Sequence, residues 1–154
     1  MADIIISLIA EAVDVPVVAA GGITTSKHVE AVLALGAEGA YVGTLFLLAD
    51  EAGTHQKAKD AMAKAKLSDL LEFPTWPTYY RCVPTKLAEE CYQMHLDGAS
   101  REEINEFSGG FKAIKDAMVD GNIDEGFIVV SAAMDQINEQ KPAKEILNDL
   151  VVSL

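Results

Sequence analysis

Two apolar runs, each closed by glycine and set one helix apart, limit what this chain can fold into more than any other feature. The first is Val17-Val18-Ala19-Ala20-Gly21-Gly22-Ile23 and the second is Gly39-Ala40-Tyr41-Val42-Gly43-Thr44. A short, unbroken apolar run bounded by turn residues reads as a strand buried on both faces, as in a parallel sheet. Gly22 and Gly43 stand 21 positions apart, which leaves room for one helix and one strand. The intervening residues supply that helix. Thr24, Thr25 and Ser26 are N-cap types, Val29, Val32 and Leu33 share one helical face, and Gly36 suits a left-handed stop. The expected succession is a strand at Pro16–Ala20, a helix, and a strand over about 39–42, a repeating βα pattern.

Glycine at a strand end lets backbone approach a ligand with no Cβ in the way. A phosphate needs several N–H donors converging on its oxygens, and a helix N-terminus adds a favourable dipole. Gly21, Gly22 and Ile23 would offer donors at the first strand end, with Gly43 and Thr44 at the second, where the Thr44 hydroxyl adds one more. Spacing alone equally allows two plain tight turns. In a (β/α)8 barrel, the loops after the last two strands commonly build a phosphate site. A whole barrel takes about 250 residues, more than the 154 here. The sequence therefore suggests an α/β chain that begins deep inside such a barrel, with a change of character near residue 66.

Half of the residues are hydrophobic and only 6% are aromatic, which suits α/β or helical architecture. The formal net charge of −12 argues against nucleic acid or an anionic membrane as partner, since both reward clustered Lys and Arg. The same charge also serves simple solubility. No apolar run approaches the roughly 20 residues of a membrane span. The start, Met1-Ala2-Asp3-Ile4-Ile5-Ile6, lacks a basic signal-peptide region, and the pattern through Leu8, Ile9, Ala12 and Val13 continues as a helix over residues 3–13. Cys82 and Cys91 form no close pairing motif, so free structural thiols in a reducing, cytoplasmic setting are expected.

Beyond the second strand, Ala58, Ala61, Met62 and Ala65 mark a helical stripe. Residues 67–80 contain Pro74, Trp76 and Pro77 and read as an irregular loop, after which everything reads as helical. Pro84 suits a first helical turn, Gly98 a helix stop, and Ser100-Arg101-Glu102-Glu103 a capping box. Gly121 followed by Asn122-Ile123-Asp124-Glu125 repeats that logic, and Pro142 opens a last helix ending near Val152. Trp76, Tyr79, Tyr80 and Arg81 could shape a pocket, but a connector whose aromatics pack on helices is the favoured reading.

Taken together, Pro16–Ile23, then Ala34-Leu35-Gly36-Ala37-Glu38-Gly39, then Val42-Gly43-Thr44-Leu45-Phe46 resemble the nitronate monooxygenase family. That family was long called 2-nitropropane dioxygenase-like and includes flavin-dependent enoyl-acyl-carrier-protein reductases. The similarity continues through Glu51 and His55 and returns at Gly109-Gly110 and at residues 143–150. The resemblance implies a (β/α)8 TIM barrel with an appended helical segment and FMN as cofactor, this chain being the C-terminal portion of that α/β fold: the last two βα units over residues 1–66, then a loop and helical subdomain over 67–154. It implies that Ala20, Gly21, Gly22, Gly43 and Thr44 hold the FMN phosphate. Tyr41 stands where the family often has Gln, and Leu45 where it often has Arg. Neither change removes the phosphate donors, while both alter flavin-ring contacts and local charge.

The family's catalytic histidine lies in a glycine-rich loop before the penultimate strand, and no residue here matches it. No catalytic residue is therefore assigned to this chain. His28 reads as a solvated residue of a first helical turn, His55 as a cap or decoration of the lysine-rich helix, and His95 as a cation near a helix end. No histidine pair has metal-ligand spacing, so no metal is expected. The implied reaction is oxidation of an alkyl nitronate with O2, or hydride delivery from NAD(P)H to an enoyl thioester. The alternative is a non-catalytic fragment, an interaction module or homo-oligomer, or a half that needs a separate N-terminal partner.

Overall fold

The computed structural model describes residues 2–151, with side chains described from Ile5 onward; the expectations that rest on Met1 and Val152 lie outside them. In chain order the elements are α1 (Ala2–Ala12), β1 (Val18–Ala20), α2 (Ser26–Ala34), β2 (Gly39–Tyr41), α3 (Gln56–Lys64), β3 (Leu71–Pro74), β4 (Tyr79–Val83), α4 (Lys86–Leu96), α5 (Arg101–Ser108), α6 (Phe111–Met118), β5 (Ile128–Val129) and α7 (Ala143–Val151). They group into two units, Met1–Glu51 with Lys141–Leu154, and Ala52–Gln140. Position 66, the expected boundary, falls inside the second unit, and the last helix belongs with the first. Among the described residues no helix is long and apolar enough to cross a membrane.

The first unit is built on the expected parallel pair. β1 and β2 run in register, Val18 with Gly39, Ala19 with Ala40 and Ala20 with Tyr41. β1 is two residues shorter than the expected strand and β2 one residue shorter. α2 connects them: the Thr25 side chain caps it by accepting from the His28 N–H, and Gly36 ends it at φ +97°. A Cβ at Gly36 would meet the Ala10 Cβ at 3.0 Å, so glycine here serves both the turn and the close passage of α1. Val29 and Val32 of α2 are buried, as are Leu48, Ala49, Ile146 and Leu150, and α7 packs on α2 and on the 3-10 turn Thr44–Leu48. Two bonds fasten the return of the chain. The Asp50 N–H donates to the Lys141 carbonyl at 3.1 Å, and the Ala143 N–H donates to the Glu51 carboxylate at 2.8 Å, placing an anion at the N-terminus of α7.

The second unit corrects two expectations. Residues 67–80 are not an irregular loop: β3 and β4 form an antiparallel hairpin with Glu72 opposite Arg81 and Pro74 opposite Tyr79. Nor is everything after it helical, because β4 and β5 add strands in the order β3-β4-β5. The prolines misled because Pro cannot donate to a ladder, but β3 is an edge strand, where a missing donor can be tolerated. The sheet buries Phe73, Tyr80 and Phe127, with ring centroids 5.5 Å apart for Phe73–Phe127 and 5.7 Å for Tyr80–Phe127. Pro84 sits just before the Thr85 cap of α4 rather than inside its first turn. Asn122–Glu125 gives a 3-10 turn, Ile123–Glu125, rather than a capped α-helix. The Ser100–Glu103 capping box forms as expected.

Candidate functional site

Parallel pairing puts the carboxyl ends of β1 and β2 at one edge, and each runs directly into its glycine turn. Open α/β sheets bind ligands outside the carboxyl ends of their strands. After Ala20 the backbone passes through Gly21 at φ +102° and Gly22 at φ +70°, a left-handed pair that L side chains adopt only at a cost. Gly43 is different: at φ −108° its backbone would accept any residue. A Cβ at Gly21, Gly22 or Gly43 would meet nothing within 4 Å. Packing therefore does not demand glycine at Gly43, and all three positions face open space.

The backbone donors complete the arrangement. Among the described residues, no hydrogen bond uses the N–H of Gly22, Ile23 or Gly43. Thr44 opens the 3-10 turn that Gly43 precedes, so its N–H belongs to the orphan donors of that turn. Gly22 and Gly43 are exposed and Ile23 is buried, and their N–H groups gather where two strands end side by side. The first turn of α2 carries no carboxylate, and neither do those of α3 and α6, whereas those of α4, α5 and α7 carry Glu89, Glu102 with Glu103, and Glu145. The start of α2 thus lacks the adjacent acid that would oppose an anion.

His28 departs from the expected solvated residue. It is half-buried in the first turn of α2, and its Nδ1 accepts the Thr24 N–H at 3.2 Å, with the Thr24 Oγ1 at the same distance. Its ring lines a small apolar cleft of about 190 Å³ together with Ala20, Gly21, Gly22 and Ile23. The signal was faint in the sequence. Position N3 after an N-cap Thr ordinarily calls for Glu or Gln to reach back to the backbone, and His is not part of that pattern.

The remaining candidates lie elsewhere. His55 caps α3, its Nδ1 accepting the Lys57 N–H at 3.2 Å, and His95 lies in the last turn of α4. Tyr41 is 68% exposed. In the β3–β4 hairpin Arg81 pairs with Glu72 at 2.6 Å, the Tyr80 hydroxyl donates to the Trp76 carbonyl at 3.4 Å, and Arg101 lies over the Tyr79 ring. Cys82 and Cys91 are free and buried, and burial pushes each thiol up to about 12. That makes them poor nucleophiles, as expected for thiols that fill a core. A larger cavity of about 530 Å³ lies in the second unit among Lys86, Glu106, Phe107 and Lys112. Lys112 is already paired with Asp116 at 2.6 Å, and Glu90, Asp124 and Glu125 line the same cavity.

The nitronate monooxygenase family model matches residues 3–153, nearly the whole chain. The chain belongs to the nitronate monooxygenase family. It is 46% identical over 66 residues to a probable nitronate monooxygenase of Staphylococcus saprophyticus, a stretch covering 41% of this chain and 19% of that protein. Over 60 residues it is 40% identical to a probable nitronate monooxygenase of Bacillus subtilis, covering 39% and 17%. Among solved structures it is similar to FabK from Thermotoga maritima, with TM-score 0.84 and 27% identity over 99% of this chain and 48% of that one. It is also similar to a nitroalkane oxidase from Streptomyces ansochromogenes, with TM-score 0.73 and 25% identity over 99% and 43%. The chain spans just under half the length of the solved structures it matches.

Proposed function

We propose that this family member supplies the FMN-phosphate end of the site of an FMN-dependent oxidoreductase, of the nitronate monooxygenase or enoyl-acyl-carrier-protein reductase type. The observation that carries the reading is the set of open N–H donors at Gly22, Ile23 and Gly43, gathered at the carboxyl ends of two parallel strands. Ala20 and Gly21 lead into that set, and Thr44 adds a hydroxyl. These residues fit a phosphate, because each donor is fixed by backbone geometry and no Cβ stands in the approach. Bound there, FMN would supply the redox chemistry toward a small substrate, a nitronate or an enoyl thioester, with NAD(P)H as reductant in the latter case, in the cytoplasm. The protein's own part is to bind and orient. In this reading β1 and β2 are the last two strands of a (β/α)8 barrel, residues 1–66 hold its last two βα units, and the acid/base group lies outside this chain.

One observation favours a second arrangement, in which the chain works only beside a separate N-terminal half. The two-stranded sheet leaves both outer edges unpaired, and Ile5, Leu8, Val18 and Tyr41 are each more than half exposed in the first unit. Open edges and apolar faces of this kind are normally covered. The test for both is retained flavin. The purified chain is mixed with FMN and passed through gel filtration, and visible absorbance is read in the protein peak. Flavin near one per chain or per dimer supports a cradle assembled by this chain. Retention only after adding a chain that carries the missing half supports the second arrangement. No retention in either case refutes the cofactor assignment.

A further inference from the structure

The ring of His28 does something for the glycine turn that its place in a helix does not require. The Thr24 N–H can only donate, so at 3.2 Å the His28 Nδ1 must accept, and a neutral ring then carries its proton on Nε2. In return the His28 N–H donates to the Thr25 hydroxyl oxygen at 3.3 Å. The two bonds form a reciprocal clasp like a capping box, displaced one residue toward the turn. Thr24 is only 9% exposed and follows Ile23, itself buried at 6%. Fixing the Thr24 amide therefore fixes the direction of the peptide units that precede it, including the open donors of Gly22 and Ile23. The cleft that His28 lines is otherwise apolar, with Ile6, Ala19, Ala31, Val32 and Leu35 among its walls.

We propose that His28 is a positioning residue for the anion-binding turn: its Nδ1, held as an acceptor by Thr24, pre-orients the Gly22 and Ile23 amides toward the phosphate of a bound flavin nucleotide. This rests on the cofactor reading above, and the experiment separates the two. The full chain is compared with His28→Ala and His28→Gln by FMN titration. Ring 15N shifts of His28 and hydrogen exchange of the Thr24 amide are measured without FMN. The expected result is an Nε2–H tautomer and a protected Thr24 amide in the wild type. His28→Ala should lose that protection and bind FMN about tenfold more weakly, the size of one lost hydrogen bond. His28→Gln, whose side-chain oxygen can reach back from position N3, should recover most of both. Equal FMN affinity in His28→Ala, no recovery in His28→Gln, or an Nδ1–H tautomer in the wild type each overturns the proposal. A wild-type chain that binds no FMN, alone or with the missing half added, while its ring and amide behave as expected refutes instead the flavin reading, and with it the ligand assigned to the turn.

Discussion

Replacing Gly43 by valine separates folding from binding, because the structure gives this glycine no internal reason to be glycine. Its φ of −108° is open to any residue, and a Cβ there meets nothing within 4 Å. Stability should change by no more than about 0.5 kcal/mol, the usual range for an exposed site without special geometry. Binding should respond differently. The valine side chain would stand in the space through which a phosphate reaches the Gly43 and Thr44 amides. Hydrogen bonds to a charged group contribute about 1.5–3 kcal/mol each, so losing two costs about 3–6 kcal/mol, at least a hundredfold in affinity. Gly22→Ala is the contrasting case. At φ +70° an alanine is strained by about 1–2 kcal/mol whatever binds there, so its loss of flavin would be mixed with loss of fold. The assay pairs urea unfolding of each variant with FMN titration followed by absorbance. Gly43→Val that keeps the wild-type unfolding midpoint and also binds FMN within about threefold would refute the reasoning, since the open donors would then not be holding the ligand.

Gly126→Ala should be among the most damaging substitutions in the second unit, because its Cβ would lie 2.2 Å from the Ala113 carbonyl oxygen and 2.7 Å from the Ala117 nitrogen. Relief would displace α6 and strain the Phe127–Ala113 and Thr85–Gly126 bonds, for about 3–5 kcal/mol in urea unfolding; a loss below about 1 kcal/mol contradicts the packing. Glu103 accepts from the Ser100 N–H and hydroxyl, which hold its carboxyl below the ordinary value. A lowered native pKa means the unfolded state binds more protons, so this stabilisation is present above the ordinary carboxylate pKa and lost as pH falls through the native one. The stability gap between wild type and Glu103→Gln should therefore be wider at pH 6 than at pH 3, and a gap that does not move would rule the cap out as its source. Raising NaCl from about 0.05 to 0.5 M should leave FMN retention unchanged or improve it, because salt screens the chain's net negative charge while close backbone donors are little affected. A tenfold fall would point to lysines as the anion's partners.

How much of this was legible in the sequence depended on whether neighbouring residues alone decide the structure. The β1–α2–β2 unit was readable because its signals are local: an apolar run, a capping threonine, a helical stripe and a glycine stop follow one another within about 25 residues. The hairpin was not, because what makes Leu71–Pro74 a strand is its partner Tyr79–Val83 and the burial of Phe73 against Phe127, 54 positions away. Proline at an edge strand looks, in sequence, the same as proline in a loop. β5 was more hidden still. Two residues, Ile128 and Val129, carry no periodicity, and their pairing with Val83 and Cys82 is wholly long-range.

The candidate site shows the same division on a smaller scale. Glycines at the strand ends could be noticed from spacing, yet spacing could not distinguish a tight turn from an open approach. The structure separates the two roles within one site. Gly21 and Gly22 have positive φ and would be glycine in any plain turn, whereas Gly43 has neither strain nor a close neighbour. Turn chemistry therefore accounts for the first pair and leaves Gly43 unexplained by the fold. A small residue kept where the fold does not need it is what a ligand contact would require. The acidity of the chain is consistent with such a contact. The first turn of α2 carries no carboxylate, so the net charge describes the surface at large and not the turn. Backbone donors cannot be exchanged for another residue type, and so the anion reading rests on geometry that composition could not reveal.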